Sequence, residues 1–312
     1  MPELKSTLIF LVICIICHLT VVTSDPSVAS AAWTSAVDAA MTELAQDTTF
    51  QKQVTSLGVP FVVPYCKETA NYPTKNPLPS NITKLTICSE LQTSSTNLWL
   101  TVYKLVAKGL VANLNKKYSL SLGIEYLSIN TTSGYFPSLL GGINSGACDI
   151  VVSDTALSTA RSEQVSFTTC SYGTTYFTFM RTDLDNTTIT GITTLDQLNR
   201  ADVKVAWWKG TLFDQVMNNS LSLVQKYPGS TMNAMFSFAE TKQVHAILFD
   251  AIDVYSWMND HKECVNCYMK VFGDPLPVSI FTKKMPATSG VESIGVLSYG
   301  LLICILIIYS IL

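Results

Sequence analysis

The sequence predicts an α/β protein of two lobes joined by two crossing strands. Three observations carry this. From residue 83 onward, short runs of β-forming residues alternate with runs of helical period. The alternation falls into two blocks, as parallel sheets with connecting helices require. Two extended segments, SYGTTYFTFMRT and PLPVSIFTKK, bracket the second block. The 312 residues suffice for two lobes of about 100 to 150 residues each. A net charge of -3 with 14% charged residues leaves no polybasic surface, which argues against a nucleic-acid partner.

The chain opens with Lys5 and the apolar run LIFLVICIICHLTVV, with Val22 and Ser24 before Asp25, so residues 1–24 read as a secretory signal peptide. The run is about 15 residues, short of the roughly 20 that span a bilayer. Residues 25–82 hold a helical pattern, WTSAVDAAMTELAQDTTFQKQV, and then PFVVPYCKETANYPTKNPLPS, whose prolines and polar residues mark a linker.

Lobe 1 is assigned to 83–172, with strands KLTIC, LGIEYLSI and DIVVS and helices LWLTVYKLVAKGLVANLNKKY, FPSLLGGINSG and TARSEQV. Lobe 2 with its hinge strands is assigned to 173–270. It reads as helix TLDQLNR, strand VKVAWW, a helix opened by Gly210 and Thr211, strand AMFSF, helix AETKQVHAI, strand LFD and helix AIDVYSWM. Residues 271–288 return to lobe 1. The tail 289–312 runs apolar to Leu312 with no basic residue after it, and ATSGVES precedes it. Small residues, a polar spacer and an apolar end form a glycosylphosphatidylinositol attachment signal, with attachment near Ala287 to Ser289 and the outer face of the plasma membrane as location. A single-pass tail anchor is the alternative.

Sequons at Asn81, Asn130, Asn186 and Asn218 fit that location as glycosylation sites. So do Cys66, Cys88, Cys148, Cys170, Cys264 and Cys267, six thiols that an oxidising compartment would join in three disulfides of undetermined connectivity. The pair Cys264 and Cys267 could be half of a zinc site. Zinc needs four ligands and only His245 and His261 remain beside it, so no metal is expected.

Ligands of open α/β sheets gather at the carboxyl ends of strands. The strand DIVVS ends at Ser153, Asp154, Thr155 and Ser158, and Arg161 follows in the first turn of the next helix. A guanidinium there can grip a carboxylate through two parallel hydrogen bonds. By these residues alone, Arg161 reads first as a solvated helix arginine, with the carboxylate contact as the alternative.

The stretch DIVVSDTALSTARSEQVSFTTCSYGTTYFTFMRT resembles the signature region of extracellular solute-binding protein family 3, whose members capture polar amino acids on the type II periplasmic-binding-protein fold. Asp149, Ser153, Arg161, Val165, Phe167 and Thr168 occupy the family's positions. TLDQLNRADVKVAWWKGT resembles the start of its second lobe, ending in Gly210 and Thr211, and KQVHAILFD its segment ending in an acid, here Asp250. The resemblance spans about Lys84 to Lys284. It implies that Arg161 and Ser153 hold an α-carboxylate with help from Thr211, and that Asp250 holds the ammonium. Both charges of a zwitterion need partners once closing lobes remove its water.

The chain also departs from the family. Asp154 and Ala156 replace hydroxyl residues, so an extra negative charge lies near Arg161 and could weaken carboxylate binding or favour a cationic ligand. Leu212 replaces a further hydroxyl. The family's closing helix is missing after IFTKKMPATSG, while VDAAMTELAQDTTFQKQV near the N-terminus resembles it, so a circular permutation is expected, with an unrelated added helix as the alternative. Among Trp99, Tyr126, Tyr135, Phe136, Trp207 and Trp208, most are expected in the core, and Tyr135 is the favoured ligand contact.

No G-x-S-x-G elbow occurs, and His245 and His261 lie in an amphipathic helix and among charges. The reading is a non-catalytic binder with no cofactor, held at the membrane by a lipid anchor. It would close over a small polar, amino-acid-like solute, with a receptor or transporter as further partner. The alternatives are a surface adhesion or structural protein on the same fold, or a lyase or transglycosylase acting through Asp154 or Glu163.

Overall fold

The structure is a computed structural model and describes residues 30–58, 64, 66–91, 98–184 and 186–285. The expected signal peptide and anchor signal lie outside these residues. Among the described residues no helix is long and apolar enough to cross a membrane.

Helix α1 (Ala31–Gln46) starts where the Ser30 side chain accepts from the Trp33 amide. It buries Trp33, Val37, Met41 and Leu44 at helical spacing. Asp47 ends it and caps α2 (Thr48–Ser56), accepting from Thr49 N at 2.7 Å. Helix α3 (Leu98–Tyr118) packs along α1, and Gly109 of α3 gives Leu44 its place: a Cβ there would lie 2.3 Å from Leu44 Cδ1.

The first sheet has the strand order β2 (Gly123–Ile129), β1 (Lys84–Glu90), β3 (Ile150–Val151), β10 (Phe281–Lys283), β4 (Val165–Phe167). The first three are parallel, and β10 runs antiparallel to β3 and β4. Leu85, Ile87, Ile150 and Ile280 pack with α1 and α3 on one face. Cys88, Val151 and Phe281 pack on the other with helix α4 (Tyr135–Ser145).

The second sheet has the order β7 (Gln225–Gly229), β6 (Lys204–Trp208), β8 (Ala246–Asp250), β5 (Gly173–Arg181), β9 (Tyr268–Val278). Strands β6, β7 and β8 are parallel, and β5 is antiparallel to both neighbours. Its helices are α6 (Asn186–Ile189), α7 (Leu195–Leu198), α8 (Phe213–Asn219), α9 (Met232–Glu240) and α10 (Ala251–Asp260). The chain crosses between the sheets twice, from β4 to β5 and from β9 to β10. The crossings bond each other, Tyr172 N to Val278 O at 3.1 Å and Thr168 N to Ile280 O at 3.0 Å.

Three elements differ from the sequence reading. AETKQVHAI, expected as a helix, holds only the end of α9 at Glu240, then a turn at Thr241 and Lys242 and the start of β8 at Ala246, so His245 lies on the approach to a strand and not on an amphipathic helix. AMFSF is helical, inside α9, because Thr231 caps the turn by accepting from Ala234 N at 3.0 Å and because Met235, Phe236 and Ala239 share one buried face. The strand beside β6 is instead QKYPG, an edge strand with little apolar surface. TARSEQV yields only the single turn α5 (Thr159–Ser162), and Val165 begins β4.

Among the described residues three disulfides form: Cys66–Cys170, Cys88–Cys148 and Cys264–Cys267. The first closes 104 residues and ties the proline-rich segment to the first crossing. Restricting a loop of that length in the unfolded chain contributes about 4 to 5 kcal/mol. Asn81, Asn130 and Asn218 are exposed. The side chain of Asn186 lies outside the description.

Candidate ligand-binding cleft

The two sheets present their carboxyl ends to each other. On the first wall, the Ser158 side chain caps α5 by accepting from Arg161 N, and this short turn aims Arg161 inward. Arg161 is 6% exposed. Its guanidinium lies 4.8 Å from the Phe136 ring centre and 5.9 Å from that of Tyr135. Of its five N–H groups, one contact is seen among the described residues, Nη1 donating to Ala156 O at 2.9 Å. Burial lowers its pKa, opposed by Tyr135, Asp250 and Asp154 nearby.

On the second wall, Asp250 ends β8 and stands at the N-cap of α10 without capping it. Its carboxylate accepts from Thr175 Oγ1 at 2.9 Å. Burial raises its pKa to about 7, with Asp154 adding to the rise and Thr175 and Arg161 opposing it. Arg161 and Asp250 line one narrow cleft with Tyr135, Asp154, Thr211 and Trp208. An acid and a guanidinium thus come from opposite lobes to a shared space.

Tyr135 joins several groups. Its hydroxyl donates to Asp154 Oδ1 at 2.7 Å and lies 2.9 Å from Ser153 Oγ and 3.0 Å from Thr155 Oγ1. Burial raises the Tyr135 pKa well above its usual value, so it remains a neutral donor. Ser153 is fully buried and donates to Glu90 Oε2, which places it behind Tyr135 and away from the cavity lining. Thr211 reaches the cavity, with its hydroxyl donating to Trp208 O at 2.7 Å.

The lobes meet directly. Phe136 N donates to Gly210 O at 3.3 Å, and the rings of Tyr135 and Trp208 stand edge to face at 5.2 Å. Gly210 has φ 83°, and Gly134, before α4, has φ 123°. Among the weighed aromatics, Trp99, Trp207 and Phe136 are buried, Trp208 lines the cavity, and Tyr126 lies on an outer strand, 45% exposed.

Two acids escaped the sequence reading. Glu90, at the carboxyl end of β1, accepts from Tyr103 at 2.8 Å as well as from Ser153. Asp253 stands one helical turn after Asp250. Carboxylate oxygens of Asp154, Asp250 and Asp253 lie within 4.8 Å of one another. Burial raises the pKa of Asp154, and it raises that of Asp253 further, with the charges of Asp154, Asp250 and Glu90 adding. Three such groups can hold a cation. The guanidinium facing the same cavity repels a bare metal ion but complements an organic cation that carries its own carboxylate.

No family model and no curated protein matches the chain. Solved structures do. An ancestral amino-acid-binding protein, a precursor of cyclohexadienyl dehydratase, is 17% identical with a TM-score of 0.50, covering 65% of this chain and 82% of that one. An ancestral arginine-binding protein bound to arginine is 15% identical with a TM-score of 0.51, over 65% and 85%. A protein from Wolinella succinogenes, described as a candidate binding component of an ABC transporter complexed with lysine, is 11% identical with a TM-score of 0.51, over 66% and 84%. At such identities these likenesses establish the fold alone: two α/β lobes of the type II periplasmic-binding-protein kind.

Proposed function

We propose that the protein is a non-catalytic solute-binding protein whose two lobes close over a small zwitterion of the amino-acid type. The observation that carries this reading is the pairing of Arg161 on one wall with Asp250 on the other, both lining one cavity. A free carboxylate takes up the N–H groups that Arg161 leaves unused, and the ammonium sits against Asp250 and Asp154. A bound zwitterion bridges the lobes and favours the closed state, because both of its ends have partners only there. The solved structures named above include proteins bound to arginine and to lysine, which supports the reading.

The signals at both chain ends add a location. The protein is proposed to stand on the outer face of the plasma membrane by a glycosylphosphatidylinositol anchor, where it would concentrate its solute or present it to a receptor or transporter.

Thermal unfolding in the presence of each amino acid tests the binding role. A ligand at about 1,000 times its dissociation constant stabilises by about 4 kcal/mol, a clear rise in Tm. If no amino acid raises Tm, the adhesion or structural reading replaces this one.

A further inference from the structure

We propose that Cys264 and Cys267 form a redox-active pair, which exchanges its disulfide with an external thiol while Cys66–Cys170 and Cys88–Cys148 stay closed. The pair follows the C-terminal end of α10, whereas Asp250 stands at the other end of that helix, so the inference is independent of the zwitterion reading.

The three bonds differ in what opening them asks of the fold. Cys88 and Cys148 meet across 60 residues, and both are buried in the core. Cys66 and Cys170 meet across 104, with Cys170 buried. Two thiols need more room than one disulfide, so opening either bond presses on close-packed side chains. Bonds held in this way resist reduction by glutathione. Cys264 and Cys267 stand three residues apart on a surface turn, both partly exposed, and Val265 between them is 79% exposed. Backbone bonds hold this turn without help from the sulfurs. Cys264 N donates to His261 O at 3.1 Å, Cys267 N to Cys264 O at 3.1 Å, and Asn266 N to Asp183 Oδ1 at 3.1 Å. The thiols therefore remain neighbours when the bond opens, and it closes again without a search through chain conformations. Exposed disulfides have the higher reduction potentials and are the labile ones.

The two sulfurs are not equivalent. Cys267 packs against the core of the second sheet, which leaves Cys264 as the outer sulfur. An external thiolate attacks Cys264 Sγ and forms a mixed disulfide with it, and Cys267 leaves as a thiolate that takes a proton from water. A second external thiolate then attacks the outer sulfur of the mixed disulfide and releases Cys264 as a thiolate, which is protonated in turn. Two external thiols are oxidised to one disulfide, and the pair takes up two electrons and two protons.

The full chain in detergent is equilibrated with reduced and oxidised glutathione over a range of ratios, and free thiols are alkylated and located by peptide mass spectrometry. The oxidation constant of Cys264–Cys267 is expected to be at least about a hundredfold smaller than that of either other pair, about 60 mV in potential, with circular dichroism unchanged. Oxidised glutathione should leave one glutathione on Cys264 of the variant Cys267→Ser, and should react at least about tenfold more slowly with Cys264→Ser. Opening of all three pairs at one ratio, opening only as the circular dichroism is lost, or no adduct on either variant overturns the proposal.

Discussion

Gly134 and Gly210 touch across the cleft so closely that a Cβ on Gly210 would lie 2.7 Å from Gly134 Cα and 3.0 Å from Tyr135 N. The obstacle is backbone on both counts, and Gly210 at φ 83° already occupies a conformation that side chains disfavour. The close approach of the lobes therefore depends on a glycine at 210, whereas a Cβ on Gly134 would meet Gly210 Cα at an ordinary 3.6 Å.

Gly210→Ala should hold the lobes apart. Solute affinity is expected to fall by about tenfold or more, while each lobe keeps its own core. Small-angle scattering should show a larger radius of gyration than the parent in saturating solute. An unchanged radius and affinity would mean that the contact has no part in closure.

Acidity should act oppositely on the free and the bound protein. Burial pushes the carboxyl of Asp250 up to about 7 in the fold from its ordinary value of 3.8, so between these values the folded state holds a proton that the unfolded state has released. The solute-free protein then loses stability from this group as pH rises through that window. Asp154 and Asp253, also raised, act in the same direction. An ammonium needs the charged carboxylate, so affinity should climb with pH to about 7 and then level. Thermal unfolding with and without solute across this range checks both slopes, and Asp250→Asn should flatten the first.

Helix α1 touches β10, where Thr34 Oγ1 and Thr282 Oγ1 lie 3.2 Å apart. We propose that α1 is a closing helix moved to the front by circular permutation. A rearranged chain that starts at Cys66, runs to Lys284 and continues through a short glycine-rich linker into residues 30–58 should fold with the parent's circular dichroism and all three disulfides. Leu44→Ala in the parent should cost about 2 to 5 kcal/mol, since Leu44 fills the space beside Gly109. A rearranged chain that does not fold would favour an added helix with no such ancestry.

The anchor is checked on intact cells. Phosphatidylinositol-specific phospholipase C should release the protein into the medium in soluble form. Retention after treatment would point to a tail that spans the bilayer.

Much of the architecture could be read from local pattern, because β1, α3 and α4 each show one period over a whole element. It failed where a short segment obeys its surroundings. The aromatic and methionine content of α9 suits a strand, yet the Thr231 cap and one buried face make it a helix. The edge strand β7 carries almost no apolar signal, since both its faces are largely open.

The site was legible to a similar depth. Arg161 and Asp250 stood out through the resemblance of their flanking motifs. Glu90 and Asp253 did not, because an acid at a strand end or in the first turn of a helix looks the same whether it faces solvent or a cleft. Only the packing of the two sheets brings those acids to one space.

The most direct test is the affinity of the protein for its best amino acid before and after Arg161→Met, measured by calorimetry on protein whose circular dichroism matches the parent. Loss of the buried pair to the carboxylate should weaken binding by about a hundredfold or more. Binding that survives unchanged would contradict the zwitterion cleft.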